Sequence, residues 1–268
     1  MRSNGLSVPN CLSPVTVVRS DAIQPDEVPP TPASLEGADL LAPAISDRFL
    51  ELIADLGIPI GFPREQDGRL IQDLFPIASA ARRQVSTSSL VDLGMHTETA
   101  FHPFKPDYVV LLCLRGDPEA HTTHAAVEDI VSNLSDDDIG LLSQDRFTTT
   151  IDESFMSHGE SDRELPVIPL EIRDSEIRLV FDEKLMRGTD EESQSAFERL
   201  SEAVARSVRT TVLDAGDLLI IDNHRAVHGR SRFAPRFNGT DRWLRRAMVL
   251  REAPPATDFD GRLVTTTF

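Results

Sequence analysis

The stretch GDLLIIDNHRAVHGR, Gly216 to Arg230, reads as an apolar strand that runs into a polar segment carrying two histidines, His224 and His228. Gly216-Asp217 supplies a turn. Leu218 to Ile221 is a short apolar run between turn signals, the pattern of a buried strand. A strand that ends in histidines presents ring nitrogens either as hydrogen-bonded residues or as metal ligands. Which of the two applies has to be read from the rest of the chain.

Working outward, further strands are legible. DYVVLLCLRGD (Asp107–Asp117) is apolar and β-branched between turn signals, EIRLVF (Glu176–Phe181) alternates, and RRAMVLRE (Arg245–Glu252) is another strand run. VTVV (Val15–Val18) is a candidate edge strand. Helices are fewer. Ser46 or Asp47 caps a helix whose stripe is Phe49, Leu52 and Ile53 and which Gly57 stops. SDDDIGLLSQ (Ser135–Gln144) starts a short helix with acidic residues in its first turn, which suits the helix dipole. Thr189 and Glu192 form a capping box, after which Phe197, Leu200, Val204 and Val208 hold one face of a helix of roughly 18 residues. No internal repeat appears. The expectation is a Pro- and Ser-rich, loop-like segment over residues 1–40 with an edge strand, then one domain over 41–268, mainly β with packing helices rather than a βαβ series.

The 268 residues are enough to bury a full core, and 40% apolar with 26% charged is ordinary for a globular chain. A net charge of −17 argues against a nucleic-acid partner. The two cysteines, Cys11 and Cys113, form no CxxC pair and no disulfide framework; Cys113 reads as a small buried hydrophobe. No apolar run reaches the length of a membrane span, and the N-terminus has no continuous apolar h-region, so the expected location is cytoplasmic.

The chemistry lies in the histidines, at positions 96, 102, 121, 124, 158, 224 and 228. In LGMHTETAFH (Leu93–His102), His96 and Glu98 are two residues apart; on a strand they would share a face. Two histidines and one carboxylate on one triangular face hold a redox-active Fe(II) and leave positions open. The second histidine must then come from the His224–His228 segment. By itself HxE is more often a hydrogen-bonded strand end. Downstream of His228, however, Arg230, Arg232, Arg236, Arg242, Arg245 and Arg246 form a basic cluster within an acidic chain, which suits small anions taken bidentately.

HTETAFHPF (His96–Phe104), GDLLIIDNHRAVHGR and PRFNGTDRWLRR (Pro235–Arg246), together with PREQDGRLIQDLFP (Pro63–Pro76) and QVSTSS (Gln84–Ser89), resemble the clavaminate synthase-like branch of the Fe(II)/2-oxoglutarate-dependent oxygenases, within the taurine dioxygenase superfamily. That branch includes amino-acid β-hydroxylases of the asparagine and arginine type. The resemblance runs from about Val28 to Met248. It implies a double-stranded β-helix (jelly roll) core. Family members usually carry a further helical segment ahead of the PPTP stretch (Pro29–Pro32), a difference that bears on how one side of the pocket closes and not on the metal site.

Carried over residue by residue, the resemblance implies iron ligands at His96, Glu98 and His228, with the VHGR turn selecting His228 over His224. It implies that Arg242 binds the far carboxylate of 2-oxoglutarate with the help of Thr122 or Thr123, and that Arg246 grips the substrate's own carboxylate. Arg242, Leu244 and Arg246 would point alike along a strand. Gln66 and Ser86 match polar contacts to the substrate's amino-acid backbone, Glu98 would also accept from its ammonium, and Asp182 matches an acidic reader of its side chain. Arginine hydroxylases carry a second acid two positions earlier; here that is Val180, so an uncharged polar side chain or a cation with one partner fits better than a guanidinium. His102 is expected near the site as a supporting group, His121, His124 and His224 as hydrogen-bonded residues, and His158 in a polar loop that could close over the pocket.

The implied activity is hydroxylation of an L-amino acid, or a derivative of one, at or near its β-carbon, in specialised-metabolite (antibiotic) biosynthesis. Fe(II) is the implied cofactor, with 2-oxoglutarate and O₂ as co-substrates. A carboxylate at position 98 argues against halogenation. The alternatives are a desaturating or cyclising oxygenase of the same family, or a non-catalytic β module that binds metal or ligand. A zinc deaminase is disfavoured because the cysteines are wrongly placed for its metal. The expected partner is a small amino-acid substrate, free or presented by a carrier protein, with no nucleic acid and no membrane.

Overall fold

The computed structural model describes residues 13–20, 23–152, 155, 163–173 and 176–265. In chain order the first elements are β1 (Val15–Arg19), helix α1 (Pro43–Ile53), β2 (Ile58–Ile60), β3 (Ile71–Leu74), β4 (Leu93–His96), β5 (Tyr108–Arg115) and β6 (Thr122–Ala126). Helices α2 (Val127–Val131) and α3 (Asp136–Leu142) follow, then β7 (Phe147–Thr149), β8 (Leu165–Val167), β9 (Leu170–Arg173), β10 (Glu176–Leu179) and β11 (Met186–Gly188). The C-terminal part holds α4 (Glu191–Ser207), β12 (Arg209–Thr211), β13 (Asp217–Asp222), β14 (Ala226–Arg230) and β15 (Trp243–Leu250). The chain is mainly β.

Two sheets carry the architecture. A six-stranded sheet runs β1-β13-β5-β15-β2, with β3 also on β15, and a four-stranded sheet runs β12-β6-β14-β4. β1 forms the edge that VTVV predicts. β5 shows why its sequence is apolar from Val109 to Leu114. Val110, Leu112 and Leu114 pack with α1 residues Ile45, Phe49 and Ile53, while Val109, Leu111 and Cys113 pack with Leu219, Ile221, Leu244 and, from the smaller sheet, Ala226. Side chains alternate across a strand, so a strand buried on both faces cannot alternate in polarity. A third cluster joins α4, through Ala196, Phe197, Leu200, Ala203 and Val204, to Ala125, Val127, Ile130 and Val227.

Two helix starts differ from expectation. α1 begins at Pro43, three residues before Ser46, because proline is preorganised for the first helical position and has no N–H to leave unpaired. Arg245, 0% exposed, bonds the Ala42 carbonyl at 2.9 Å and Ser46 Oγ at 2.8 Å and so pins that end to the sheet. The cap of α4 is Asp190, in reciprocal hydrogen bonds with Ser193, and not Thr189 with Glu192; the Thr189 hydroxyl donates to the Arg146 carbonyl. Val208 lies one residue past the helix and is exposed. Among the described residues no helix is long and apolar enough to cross a membrane.

Candidate metal and substrate site

β4 and β14 are paired, and His96 lies directly opposite His228. This register brings together two residues far apart in sequence, with ring centroids 4.4 Å apart. A bulge follows, between His228 and Arg230. Gly229 is required there, since a Cβ at that position would come within 2.5 Å of the Leu93 carbonyl oxygen. Glu98 completes the group: one ligand atom from each of His96, Glu98 and His228 lies within 4.8 Å of the others.

Glu98 reaches this point by a different route from the one its spacing suggests. β4 ends at His96, and Glu98 lies in a turn in which Thr99 has φ 50°. The side chain of Asn223, at the end of β13, fixes that turn by accepting from the Glu98 N–H at 2.8 Å and donating to the Glu98 carbonyl at 3.1 Å. Thr97 ties the same turn to Phe181, its hydroxyl accepting from the Phe181 N–H at 3.1 Å.

The ring of His96 is oriented by its Nδ1, which donates to the Gly94 carbonyl at 2.9 Å; this leaves Nε2 with its lone pair, the form a metal needs. His228 Nε2 is 3.5 Å from Glu98 Oε2, and its Nδ1 is buried with no hydrogen-bond partner among the described residues. Burial lowers the His228 pKa to about 4, and His96 adds to the effect, so the ring is neutral at physiological pH. Burial works to raise the Glu98 pKa, but Arg246, His228 and His96 outweigh it and hold the carboxylate ionised. Two imidazoles and one carboxylate, converging and largely dry, fit a divalent first-row metal.

The triad lines a cavity of about 290 Å³ between the two sheets. Arg242, Leu244 and Arg246 all line it, as the strand period predicts, while Arg245 points the other way into the α1 contact. Arg242 is 7% exposed, and the one hydrogen bond of its side chain among the described residues goes to Thr122 Oγ1, at 3.0 Å. Thr123 instead donates to Met95 Sδ, so of the two threonines it is Thr122 that stands beside Arg242. Burial lowers the Arg242 pKa to about 10, which leaves it charged with no carboxylate in contact among the described residues. Arg246 is occupied: Nη1 meets Glu98 Oε2 at 2.9 Å, Nε meets Gln72 Oε1 at 2.9 Å, and Nη2 meets Glu65 Oε1.

The remaining expected residues divide. Ser86 and Asp182 line the cavity. Asp182 Oδ1 accepts from the N–H groups of Lys184 and Leu185 at 2.8 and 2.9 Å, and burial raises the Asp182 pKa. Gln66 does not line the cavity; its amide pairs with the main chain of Asp73, at 3.3 and 3.2 Å. The neighbouring Glu65 lines the cavity instead. His102 is 1% exposed against Phe62 and accepts from the Phe104 N–H at 2.9 Å. His121, His124 and His224 pair with the Pro118 carbonyl, Thr211 and Asp107. His158 lies outside the described residues. The arginines of the basic cluster also separate: Arg236 pairs with Asp117, and Arg230 bonds the Ser88 and Val91 carbonyls and so secures the segment that carries Ser86.

Sequence reasoning did not single out Glu65, Gln72 or Asn223. Gln72 has a strand signal, because it sits opposite Arg246 in the β3–β15 register. Asn223 and Glu65 act through turns, which have no periodicity to read.

The model of the taurine catabolism dioxygenase TauD, TfdA family matches residues 33–248. The chain is 38% identical over 249 residues to L-lysine 3-hydroxylase of Catenulispora acidiphila, covering 90% of this chain and 69% of that one. Among solved structures it is similar to asparagine oxygenase in complex with Fe(II), 2S,3S-3-hydroxyasparagine and succinate: 33% identity, TM-score 0.80, 88% of this chain and 74% of that one. It is also similar to the non-heme iron oxygenase OrfP in complex with Fe and alpha-ketoglutaric acid: 33% identity, TM-score 0.84, 94% of this chain and 81% of that one. The match extends through the cavity and every residue of the triad, and the chain belongs to the taurine catabolism dioxygenase TauD, TfdA family.

Proposed function

We propose that the protein is an Fe(II)- and 2-oxoglutarate-dependent oxygenase that hydroxylates a free L-amino acid at or near the β-carbon, and that the two sheets form a double-stranded β-helix within a single domain. The observation that carries this reading is the buried pairing of a His-Glu-His triad with an arginine that has no acidic partner among the described residues. An uncompensated buried cation is costly unless a ligand supplies the opposite charge. Arg242 with Thr122 fits one carboxylate of 2-oxoglutarate, and His96, Glu98 and His228 fit the iron. Iron and 2-oxoglutarate, when bound, would supply with O₂ the oxidising chemistry that replaces a substrate C–H bond with C–OH, one oxygen atom going to the product and the other to succinate as 2-oxoglutarate loses CO₂.

The chain's own residues bind and orient. Gly94 and the Asn223 clamp hold two of the ligands in place, and apolar Leu74, Leu111 and Leu244 line the cavity and limit water. Arg246 and Ser86 would take the polar end of the amino acid. Asp182 and Asp152 line the same cavity, together with Lys184, and their carboxylates would suit a side chain ending in an ammonium. L-lysine 3-hydroxylase, named above, acts on such an amino acid.

The test is succinate release by the Fe(II)-loaded protein across the twenty amino acids plus ornithine and citrulline. Stimulation by a basic amino acid is expected, with loss in His228→Ala. No stimulation by any of them would refute the reading.

A further inference from the structure

We infer that Arg230 is a positioning residue: it ties the rim loop of the cavity, residues 84–92, to the strand that carries His228, so that one wall of the cavity and a metal ligand are held as a unit. Arg230 does this without touching metal, co-substrate or substrate. The tether is a property of the chain itself; its effect on turnover rests on the oxygenase reading above.

The rim loop has little apolar packing to hold it. Its sequence, QVSTSSLVD, is mostly small and polar, yet Thr87, Ser88 and Ser89 are buried. Buried main-chain carbonyls must find donors, and here most of the donors come from the segment just after His228. Arg230 Nη1 donates to the Ser86 and Ser88 carbonyls, and Nη2 to the Val91 carbonyl at 3.1 Å and to Ser88 Oγ at 3.0 Å. The Phe233 N–H donates to the Ser89 carbonyl at 2.8 Å, and the Arg232 N–H to Asp92 Oδ1 at 2.8 Å. The Gln84 amide closes the loop, donating to the Asp92 carbonyl at 2.9 Å and accepting from the Gly94 N–H at 3.3 Å. Gly94 is the residue whose carbonyl orients the His96 ring. Gln84, Val85, Ser86, Leu93 and Gly94 all line the cavity.

Arg230 also lines the cavity and is 5% exposed, with no carboxylate in contact among the described residues. The same holds for Arg242, but the two are built differently. The Arg242 side chain makes one hydrogen bond among the described residues, to Thr122. Arg230 makes five, the fifth from Nε to the Ser231 carbonyl at 3.2 Å, so its fork is filled by neutral oxygens of the chain. The Phe233 ring centroid lies 5.3 Å from its guanidinium carbon and completes the enclosure. A guanidinium spreads its donors in one plane and serves acceptors from Ser86 to Val91 together; the donors of a lysine radiate from one nitrogen. A wall that shifts by about 1 Å misplaces the substrate C–H bond. The signature of a loosened rim loop is therefore lost coupling, with co-substrate consumed and no product formed.

The first measurement uses the metal-free protein. Arg82 and Arg83 precede the loop and are exposed, so trypsin reports local opening there. Arg230→Lys keeps the charge. Cleavage after Arg82 and Arg83 should rise about 10- to 100-fold, while cleavage after Arg199 and Arg206 on α4 stays within about threefold. Unchanged cleavage at the loop, or equal acceleration at all four sites, would overturn the tether. The second measurement uses the Fe(II)-loaded protein and the amino acid that drives succinate release. Hydroxylated product per succinate should fall to about half or less, with 2-oxoglutarate affinity within about threefold. Unchanged coupling would overturn the positioning role, and a loss of 2-oxoglutarate affinity as large as that in Arg242→Ala would make Arg230 an anion receptor instead. If no amino acid drives succinate release, the oxygenase reading fails and the cleavage pattern alone decides the tether. If Arg230→Lys does not fold, Ser88→Ala removes one acceptor and should give the same pattern at about threefold.

Discussion

Asn223 holds the main chain of Glu98 on both sides: its Oδ1 accepts from the Glu98 N–H at 2.8 Å and its Nδ2 donates to the Glu98 carbonyl at 3.1 Å. The same Nδ2 donates to the Pro106 carbonyl at 2.9 Å, and the residue is 0% exposed. The carboxylate of the triad is thus placed by an amide from another strand's end and not by the pleat of its own. Asn223→Ala leaves buried main-chain groups unpaired and should cost about 3 kcal/mol in urea unfolding. Fe(II) affinity should fall about 10- to 100-fold, as when an outer-shell partner is lost. Unchanged iron affinity in a folded variant would mean that Glu98 is held by other means.

Arg242 and Thr122 are expected to act on the co-substrate alone. Arg242→Ala should weaken 2-oxoglutarate by about 100-fold, the loss of a bidentate charged contact, and Thr122→Val by about 10-fold, with Fe(II) affinity unaffected in both. The check is a 2-oxoglutarate titration of the Fe(II)-loaded protein without oxygen. A Thr122→Val effect as large as that of Arg242→Ala would assign the threonine more than a supporting contact.

Asp182 is expected to act on the substrate side chain. Asp182→Asn keeps the acceptor for the Lys184 and Leu185 N–H groups but removes the charge. It should lower kcat/KM for a basic amino acid by about 10- to 100-fold, with a smaller change for a neutral one. Equal losses for both would place Asp182 outside side-chain recognition.

Stability should fall with acid in part through His102. Burial, aided by the charge of Lys105, depresses its folded pKa from the usual 6.5 to about 4. Below pH 6.5 the unfolded chain takes up a proton that the folded chain refuses. The contribution is therefore complete above pH 6.5 and is lost as the pH falls toward 4. Between neutral pH and pH ~5 the loss is on the order of 2 kcal/mol. Urea unfolding of His102→Gln at the two pH values should show a shallower dependence than the parent chain; the same slope in both would remove His102 as a source.

What the sequence made legible follows from periodicity and from motif. β5 and β13 were readable because strands buried on both faces are apolar along their interiors, Val109–Leu114 and Leu218–Ile221, and Arg242, Leu244 and Arg246 because a strand repeats every two residues. His96, Glu98 and His228 were readable as a group through the resemblance, although the strand geometry assumed for HxE stops at His96. Gln66 and Glu65 show the limit. They are adjacent, and which of them faces the cavity depends on a turn in which Gln66 and Asp67 both have positive φ, a conformation no apolar pattern encodes. The Asn223 clamp and the caps at Pro43 and Asp190 are local hydrogen-bond choices of the same kind.

The most direct test of the account is the identity of the product formed from the amino acid that drives succinate release. Nuclear magnetic resonance and mass spectrometry should show that amino acid carrying one added oxygen as a β-hydroxyl, formed one-for-one with succinate, and neither product should form with His228→Ala. Succinate released with the amino acid unchanged, or a product that forms without 2-oxoglutarate, would contradict it.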